Sequence, residues 1–152
     1  MEIEIRDAGP DDPAVLALVE ALRDEVESRG AHNGVARPEI SLAEAIRADC
    51  DTLLAYAGSE PVGTAGLKAL APGMGEIKRM YVAPAHRGAG IAGRMLAELE
   101  RRACARGLEA IRLDTHDRLS EATGMYGGAG YRQIQDYNSN PRSNRWFEKL
   151  LA

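Results

Sequence analysis

The sequence predicts an α/β (α+β) fold in which helices cover both faces of a mixed sheet. Two observations lead there. Hydrophobic periodicities succeed one another in the order β-α-α-β-β-β-α-β-α-β-β, about six or seven strands and about four helices. Short turns join some of the strands as hairpins, whereas one strand–helix–strand passage requires a crossover. The length, 152 residues, suits a single domain spanning 1–152 around one core.

Ile3 and Ile5 alternate with Glu2, Glu4 and Arg6, a short strand with one buried face. Asp12 and Pro13 follow as N-cap and first helical residue. Val15, Leu18, Val19, Leu22 and Val26 recur at helical spacing, so a helix is expected from about Pro13 to Arg29, stopped by Gly30. Residues Gly30 to Ile40 lack periodicity and form a loop. Ser41 and Glu44 make a capping box for a short helix through Ala48. Thr52 to Ala57 and Pro61 to Leu70 form a hairpin around Gly58-Ser59-Glu60, and Ala71-Pro72-Gly73 turns into a strand from Gly75 to Val82.

Pro84 ends that strand. Ile91, Met95, Leu96, Leu99 and Ala103 then mark a long amphipathic helix stopping near Gly107. Ala110 to Asp114 is a strand, and a weaker helix runs from about Ser120 to Ala129. Strands around Tyr131 to Ile134 and Arg145 to Leu151 close the order, with Trp146 and Phe147 dividing between the core and a covering neighbour. Gly124, Gly127 and Gly128 crowd the weak helix, each costing roughly 0.8–1 kcal/mol relative to Ala, so it cannot stand on propensity.

Composition narrows the function. Hydrophobic residues at 45% and charged residues at 28% describe a soluble chain, and a formal net charge of −4 lacks the basic excess of a nucleic-acid binder. No run approaches the roughly 18 apolar residues of a membrane span. The acidic start, Met1-Glu2-Ile3-Glu4, is unlike a signal peptide, so a cytoplasmic location without membrane partners is expected. Cys50 and Cys104 are expected as reduced, buried thiols. His32, His86 and His116 form no paired motif, and no metal is expected.

Chemistry concentrates between Val82 and Gly93. A strand ends, a turn containing Gly88 and Gly90 follows, and a helix begins at once. Amides at such a helix start lack internal partners and sit at the positive end of the helix dipole. Glycines let a phosphate approach them, and Arg87 adds a permanent charge. A tight turn with glycines used for backbone reasons is the plain alternative. The dinucleotide fingerprint is incomplete, because the third glycine is out of register.

The run from Glu76 to Leu96 resembles the central motif of the GNAT superfamily of acyl-CoA-dependent N-acetyltransferases, through Arg87, Gly90 and Ala92. A second motif of that family is matched by Ala122, Tyr126, Gly130 and Tyr131. The resemblance implies a mostly antiparallel sheet, splayed at the cofactor site, with acetyl-CoA as cosubstrate. It implies that Met80, Tyr81 and Val82 offer backbone groups to the pantetheine arm, and that Arg87, Gly88, Ala89, Gly90, Ile91, Ala92 and Gly93 hold the pyrophosphate. It departs from the family at Leu119, where relatives often carry Asn or Gln in contact with cofactor. Arg101, Arg102 and Arg106 read as a solvated helix face or as a contact to the adenosine 3′-phosphate.

The implied chemistry is direct transfer of an acetyl group to a primary amine of a small molecule. A Lys-like amine of pKa about 10.4 is neutral roughly once in 2,500 molecules at pH 7, and an α-amine near 7.8 about once in seven, so a base is needed. Tyr126, which the resemblance also places against the cofactor, is the candidate acid. A core tyrosine bonded to backbone is its alternative. Glu76, directly or through water, is the candidate base; a strand carboxylate paired with Lys78 or Arg79 is the plain reading, and His116 and His32 are other candidates. A non-catalytic acyl-CoA-binding module, or an acetyltransferase for protein N-termini or lysines, remains open. An open groove favours protein; a pocket closed by residues 30–39 and 137–144 favours a metabolite. Acidic balance points only weakly to a cationic acceptor. Homodimers are common among relatives.

Overall fold

The computed structural model describes residues 2–47, 49 and 51–151. Cys50, and Ala48 at the expected helix end, lie outside them. The chain runs β1 (Ile3–Asp7), α1 (Pro13–Ser28), α2 (Leu42–Arg47), β2 (Asp51–Ala57), β3 (Glu60–Ala71), β4 (Met74–Val82), a 3-10 turn (Pro84–His86), α3 (Ile91–Ala105), β5 (Ala110–Thr115), α4 (Ser120–Gly128), β6 (Arg132–Ile134) and β7 (Arg145–Leu150). The strands form a seven-stranded sheet in the order β1-β2-β3-β4-β5-β7-β6. Every pairing is antiparallel except β4 with β5, the pair that the α3 crossover connects.

Local signals account for the helix starts. Asp12 caps α1 by accepting the Ala14 N–H at 2.9 Å, and Ser41 Oγ accepts the Glu44 N–H at 3.2 Å. The chain leaves α1 through Gly30 at φ 65°, with the Ala31 N–H returned to Val26 O at 2.9 Å, a C-terminal arrangement that favours glycine.

Strand alternation divides the core between two faces. Leu53 packs with Met95, Leu96 and Leu99 of α3, whereas its neighbour Leu54 packs with Val15, Leu18 and Val19 of α1. In β4 the alternation is broken on purpose by one extra residue: Thr64 pairs with Tyr81 and Gly66 with Lys78, so Ala65 alone faces Arg79 and Met80. Arg79 takes up the bulge at φ 53°. Ile77 and Val82 therefore share the α3 face, with Met80 packed against it, and Tyr81 turns to the α1 face.

One expectation is corrected. Cys104 is exposed rather than buried, because α3 buries Ile91, Met95, Leu96, Leu99 and Ala103, and the next residue stands about 100° off that stripe. Arg101, Arg102 and Arg106 are bound to carboxylates (Glu98; Asp7, Asp51 and Glu98; Asp51). Arg101 and Arg102 stand about 15–17 Å along α3 from its N-terminus, and Arg106 about 22 Å, just past its last residue.

No side chain caps α4, and it owes its place to packing: Tyr126 is buried, with Ala122, Met125 and Ala129 against the same core. Its glycines meet nothing, since a Cβ at Gly124, Gly127 or Gly128 would have no atom within 4 Å. Gly127→Ala is thus expected to stabilise the protein by about 0.5–1 kcal/mol. A urea midpoint that fails to rise would contradict a solvent-facing helical Gly127.

Candidate active site

β4 and β5 run side by side only at Met74↔Ala110, Gly75↔Ile111 and Glu76↔Arg112. Past Glu76, β4 keeps only β3 and β5 keeps only β7, so two strand edges face each other unpaired. The sheet is splayed there, as the resemblance implied. Free edge groups of this kind can bind an extended amide-bearing chain as a further strand.

A cavity of about 470 Å³ lies between the end of β4, the start of α3 and α4. Met80, Tyr81, Val82, Arg87, Gly88, Gly90, Ile91, Ala92 and Gly93 line it, so nearly the whole expected cofactor set is brought together. Ala89 and Tyr126 stand outside its wall. Leu22, Glu25, His86, Leu119, Glu121, Ala122 and Met125 complete it, and Leu119 supplies only apolar surface where the resemblance leads one to expect an amide.

The start of α3 is prepared for an anion. Gly90 is its N-cap at φ 79°, no side chain caps the helix, and no acid stands in its first turn; the first helical bond runs from Arg94 N to Gly90 O. The amides of Ile91, Ala92 and Gly93 are thereby left without helical acceptors. A Cβ at Gly88, Gly90 or Gly93 would meet no protein atom within 4 Å. Positive φ explains Gly88 and Gly90. Gly93 is helical, has room for a side chain and still lacks one, leaving its surface open to the cavity. These features fit a coenzyme pyrophosphate. Arg87 is engaged here by the protein: it donates to Val82 O at 2.9 Å and Glu25 at 2.8 Å, with its guanidinium 5.5 Å from the Tyr81 ring centroid.

A second cavity, about 340 Å³, shares Leu22, Met80, Leu119 and Ala122 with the first. Tyr126 lines this one, its ring 5.8 Å from Tyr131 and 6.2 Å from Phe147. The Tyr126 hydroxyl makes no hydrogen bond with any described residue, unlike a core tyrosine tied to backbone. Burial, and then the Asp114 charge, push its pKa above the ordinary phenol value, so it stays protonated. Asp114 also lines the cavity and accepts from Asn140 at 3.0 Å and from Ser143 at 2.6 Å.

Loops border this cavity. Ala31, Arg37 and Pro38 come from one, and Asn140, Arg142 and Ser143 from the other. Asn33 donates to Pro141 O at 3.1 Å and Ser143 O at 3.0 Å, while Arg142 donates to Val35 O and to Glu27 at 2.9 Å. His116 belongs to this clasp. Its Nε2 lies 2.7 Å from Asn33 Oδ1, and its Nδ1 accepts the Arg118 N–H at 3.2 Å. Asn33 spends its amide hydrogens on the two carbonyls, so its oxygen takes the Nε2 proton and the imidazole is neutral with both nitrogens engaged.

Burial, the leading cause, holds the His116 pKa below 6.5. A depressed histidine pKa gives stability that is complete above the unfolded value and lost as pH falls through the folded one. Wild-type Tm is therefore expected to fall between about pH 6.5 and 5 more than that of His116→Gln. Parallel Tm curves for the two proteins would remove His116 from the clasp's pH response.

Glu76 lines neither cavity. It is 4% exposed, accepts the Tyr137 hydroxyl at 2.6 Å, and lies 3.4 Å from Asn138 Nδ2 and 3.8 Å from Lys78. Asn138 Nδ2 also donates to Asp114 at 2.5 Å, so the two carboxylates are linked through one amide. His32 is absent from both walls, its Nδ1 accepting the Gly34 N–H at 3.0 Å. Sequence reasoning missed Asp114, Arg23 and the basic wall described below. Arg23 did leave a signal: it interrupts the apolar spacing of Val19, Leu22 and Val26. Among the described residues no group of three or more His, Cys, Asp or Glu could hold a metal ion, and no helix is long and apolar enough to cross a membrane.

Comparison with known proteins agrees with this architecture. The model of the Acetyltransferase (GNAT) family matches residues 16–131. A search of curated proteins finds no match. A Klebsiella pneumoniae structure assigned as an acyl-CoA N-acyltransferase is 27% identical over 99% of this chain and 98% of its own, with a TM-score of 0.78. The PaiA N-acetyltransferase of Thermoplasma acidophilum, solved with coenzyme A, is 25% identical over 99% of both chains, with a TM-score of 0.72. A GNAT-family acetyltransferase of Staphylococcus aureus shares the fold at 20% identity and a TM-score of 0.79, over 99% of this chain and 100% of its own. With a family model covering most of its length and a splayed sheet that ends in an uncapped, glycine-flanked helix, this chain belongs to the acetyltransferase (GNAT) family and to acetyl-CoA-dependent acetyl transfer in general.

Proposed function

We propose that this protein is an N-acetyltransferase for a primary amine of a small molecule, working by direct attack. The observation that carries the reading is the meeting of two cavities at Leu22, Met80, Leu119 and Ala122, one bounded by the α3 N-terminus and the other bordered by clasped loops. A concave site of about 340 Å³ is of the size that holds a small metabolite.

Bound acetyl-CoA would supply an acetyl thioester, whose carbonyl carbon the amine attacks as the C–S bond breaks and the CoA thiol leaves. In this proposal the amides from Arg87 to Gly93 hold the pyrophosphate, with the Arg87 guanidinium beside them. The backbone of Met80, Tyr81 and Val82 aligns the pantetheine arm. Tyr126, on the wall of the second cavity beside the junction residue Ala122, gives a proton toward the sulfur of a thioester that reaches through that junction. Asp114 faces the acceptor and attracts its ammonium form. Glu76 receives the proton through water rather than by direct contact, which suits a carboxylate lying behind the wall, where Tyr137 and Asn138 donate to it. Because the Tyr126 pKa is raised, the phenol serves as acid and not as base.

CoA thiol release with acetyl-CoA and a panel of primary amines tests the function. Release that depends on the amine supports it. Calorimetric acetyl-CoA binding without turnover of any amine would instead identify a non-catalytic binding module, and absence of binding would remove both readings.

A further inference from the structure

The acceptor cavity carries a charge pattern that the whole-chain balance of −4 conceals. Its wall includes Arg23, Arg37, Lys78, Arg79 and Arg142, against the single acid Asp114. Most of these cations are already matched. Arg79 binds Asp49, Arg142 binds Glu27 at 2.9 Å, Arg37 lies 3.5 Å from Glu20, and Lys78 lies 3.8 Å from Glu76. Arg23 differs from them. It makes no side-chain hydrogen bond and no ion pair with any described residue, although it is half-buried on the α1 stripe between Val19 and Val26.

An unmatched guanidinium in such a place is unfavourable by itself. Burial first, and then the charges of Arg37, Arg79 and Arg142, lower the Arg23 pKa, with Glu20 opposing them. Five cations line one cavity, and Arg23, the one of them without an ion pair to a described residue, leaves a positive charge there that an anion relieves. The guanidinium fork matches a carboxylate in shape and hydrogen-bond directions. Asp114 and Tyr126, which line the same cavity, suit the amine end.

We infer that the acceptor is an amine that also carries a carboxylate, with Arg23 as the carboxylate's partner and Asp114 facing the amine. The inference rests on the acetyltransferase reading and replaces the cationic acceptor suggested by the acidic composition. It makes Arg23 a specificity-determining residue.

The test compares α-, β- and γ-amino acids with their carboxamides as acceptors, following CoA thiol release. The carboxylate form of the preferred acceptor is expected to exceed its amide roughly 10- to 100-fold in kcat/KM. Arg23→Gln should shrink that ratio toward unity, and Arg23→Lys should retain part of it. The removal relieves repulsion, so Tm should not fall in Arg23→Gln. Equal rates for acids and amides, or a ratio unchanged in Arg23→Gln, overturn the inference while leaving the acetyltransferase reading in place. If no amine is acetylated, N-acetyl amino acids and their amides serve as binding probes by calorimetry. Tighter binding of the acids, lost in Arg23→Gln, supports the anion site on its own; equal binding, or none, overturns it.

Discussion

Tyr126→Phe is expected to lower kcat by about 100-fold while leaving acetyl-CoA affinity and Tm nearly unchanged. Only the hydroxyl is removed. The ring keeps its neighbours Tyr131 and Phe147, and no described residue loses a hydrogen-bond partner, so the usual structural penalty is absent. Stopped-flow or steady-state thiol release gives kcat, and calorimetry gives the affinity. The pH dependence adds a second readout. With its pKa raised by burial and Asp114, Tyr126 remains a donor through pH 10, where an ordinary phenol is half ionised. The wild-type rate should therefore show no falling limb near pH 10 that the Phe variant lacks. A variant with full kcat at every pH would take Tyr126 out of the chemistry.

Gly93→Val should have the opposite signature, a loss of binding with no loss of fold. The position is helical and its missing Cβ faces open space, so the isolated protein has no need of glycine there. Valine also has the better helix propensity, and Tm without ligand is expected to hold or rise slightly. A coenzyme pyrophosphate at the α3 amides needs that same space. The dissociation constant for CoA should rise roughly 10- to 100-fold, the range of one or two charge-assisted hydrogen bonds. Equal CoA affinity in Gly93→Val and wild type would place the pyrophosphate elsewhere. Together with Tyr126→Phe, this separates holding the cosubstrate from spending it.

Much of the fold was legible because its signals are local. The caps at Asp12 and Ser41, the apolar stripe from Ile91 to Ala103 and the turn at Gly73 involve residues within a few positions of one another. The turn after Pro84 was legible for the same reason: strand end, glycines and helix start are contiguous, and the amides they leave free follow from helix geometry alone. Cys104 was misread where the reasoning used residue type instead of angular position on α3.

Other features arise only when distant segments meet. Arg79 becomes a bulge because β4 carries one residue more than β3 between paired positions, and that extra residue sets which way Met80 and Tyr81 point. Glu76 looked available in a strand pattern, but Tyr137 and Asn138 fold over it from sixty residues away. Arg23, Arg37 and Arg142 come from three separated stretches, and no local window reveals that they share a wall.

By itself, the sequence determined the strand and helix order, the phosphate-ready bend after Pro84 and the family. Tertiary structure alone decided that Asp114 lines the second cavity while Glu76 lies behind it, and which cations share that wall. Backbone preferences and amide satisfaction are fixed by near neighbours, whereas burial and Coulomb interaction depend on distance in space, which chain position does not encode.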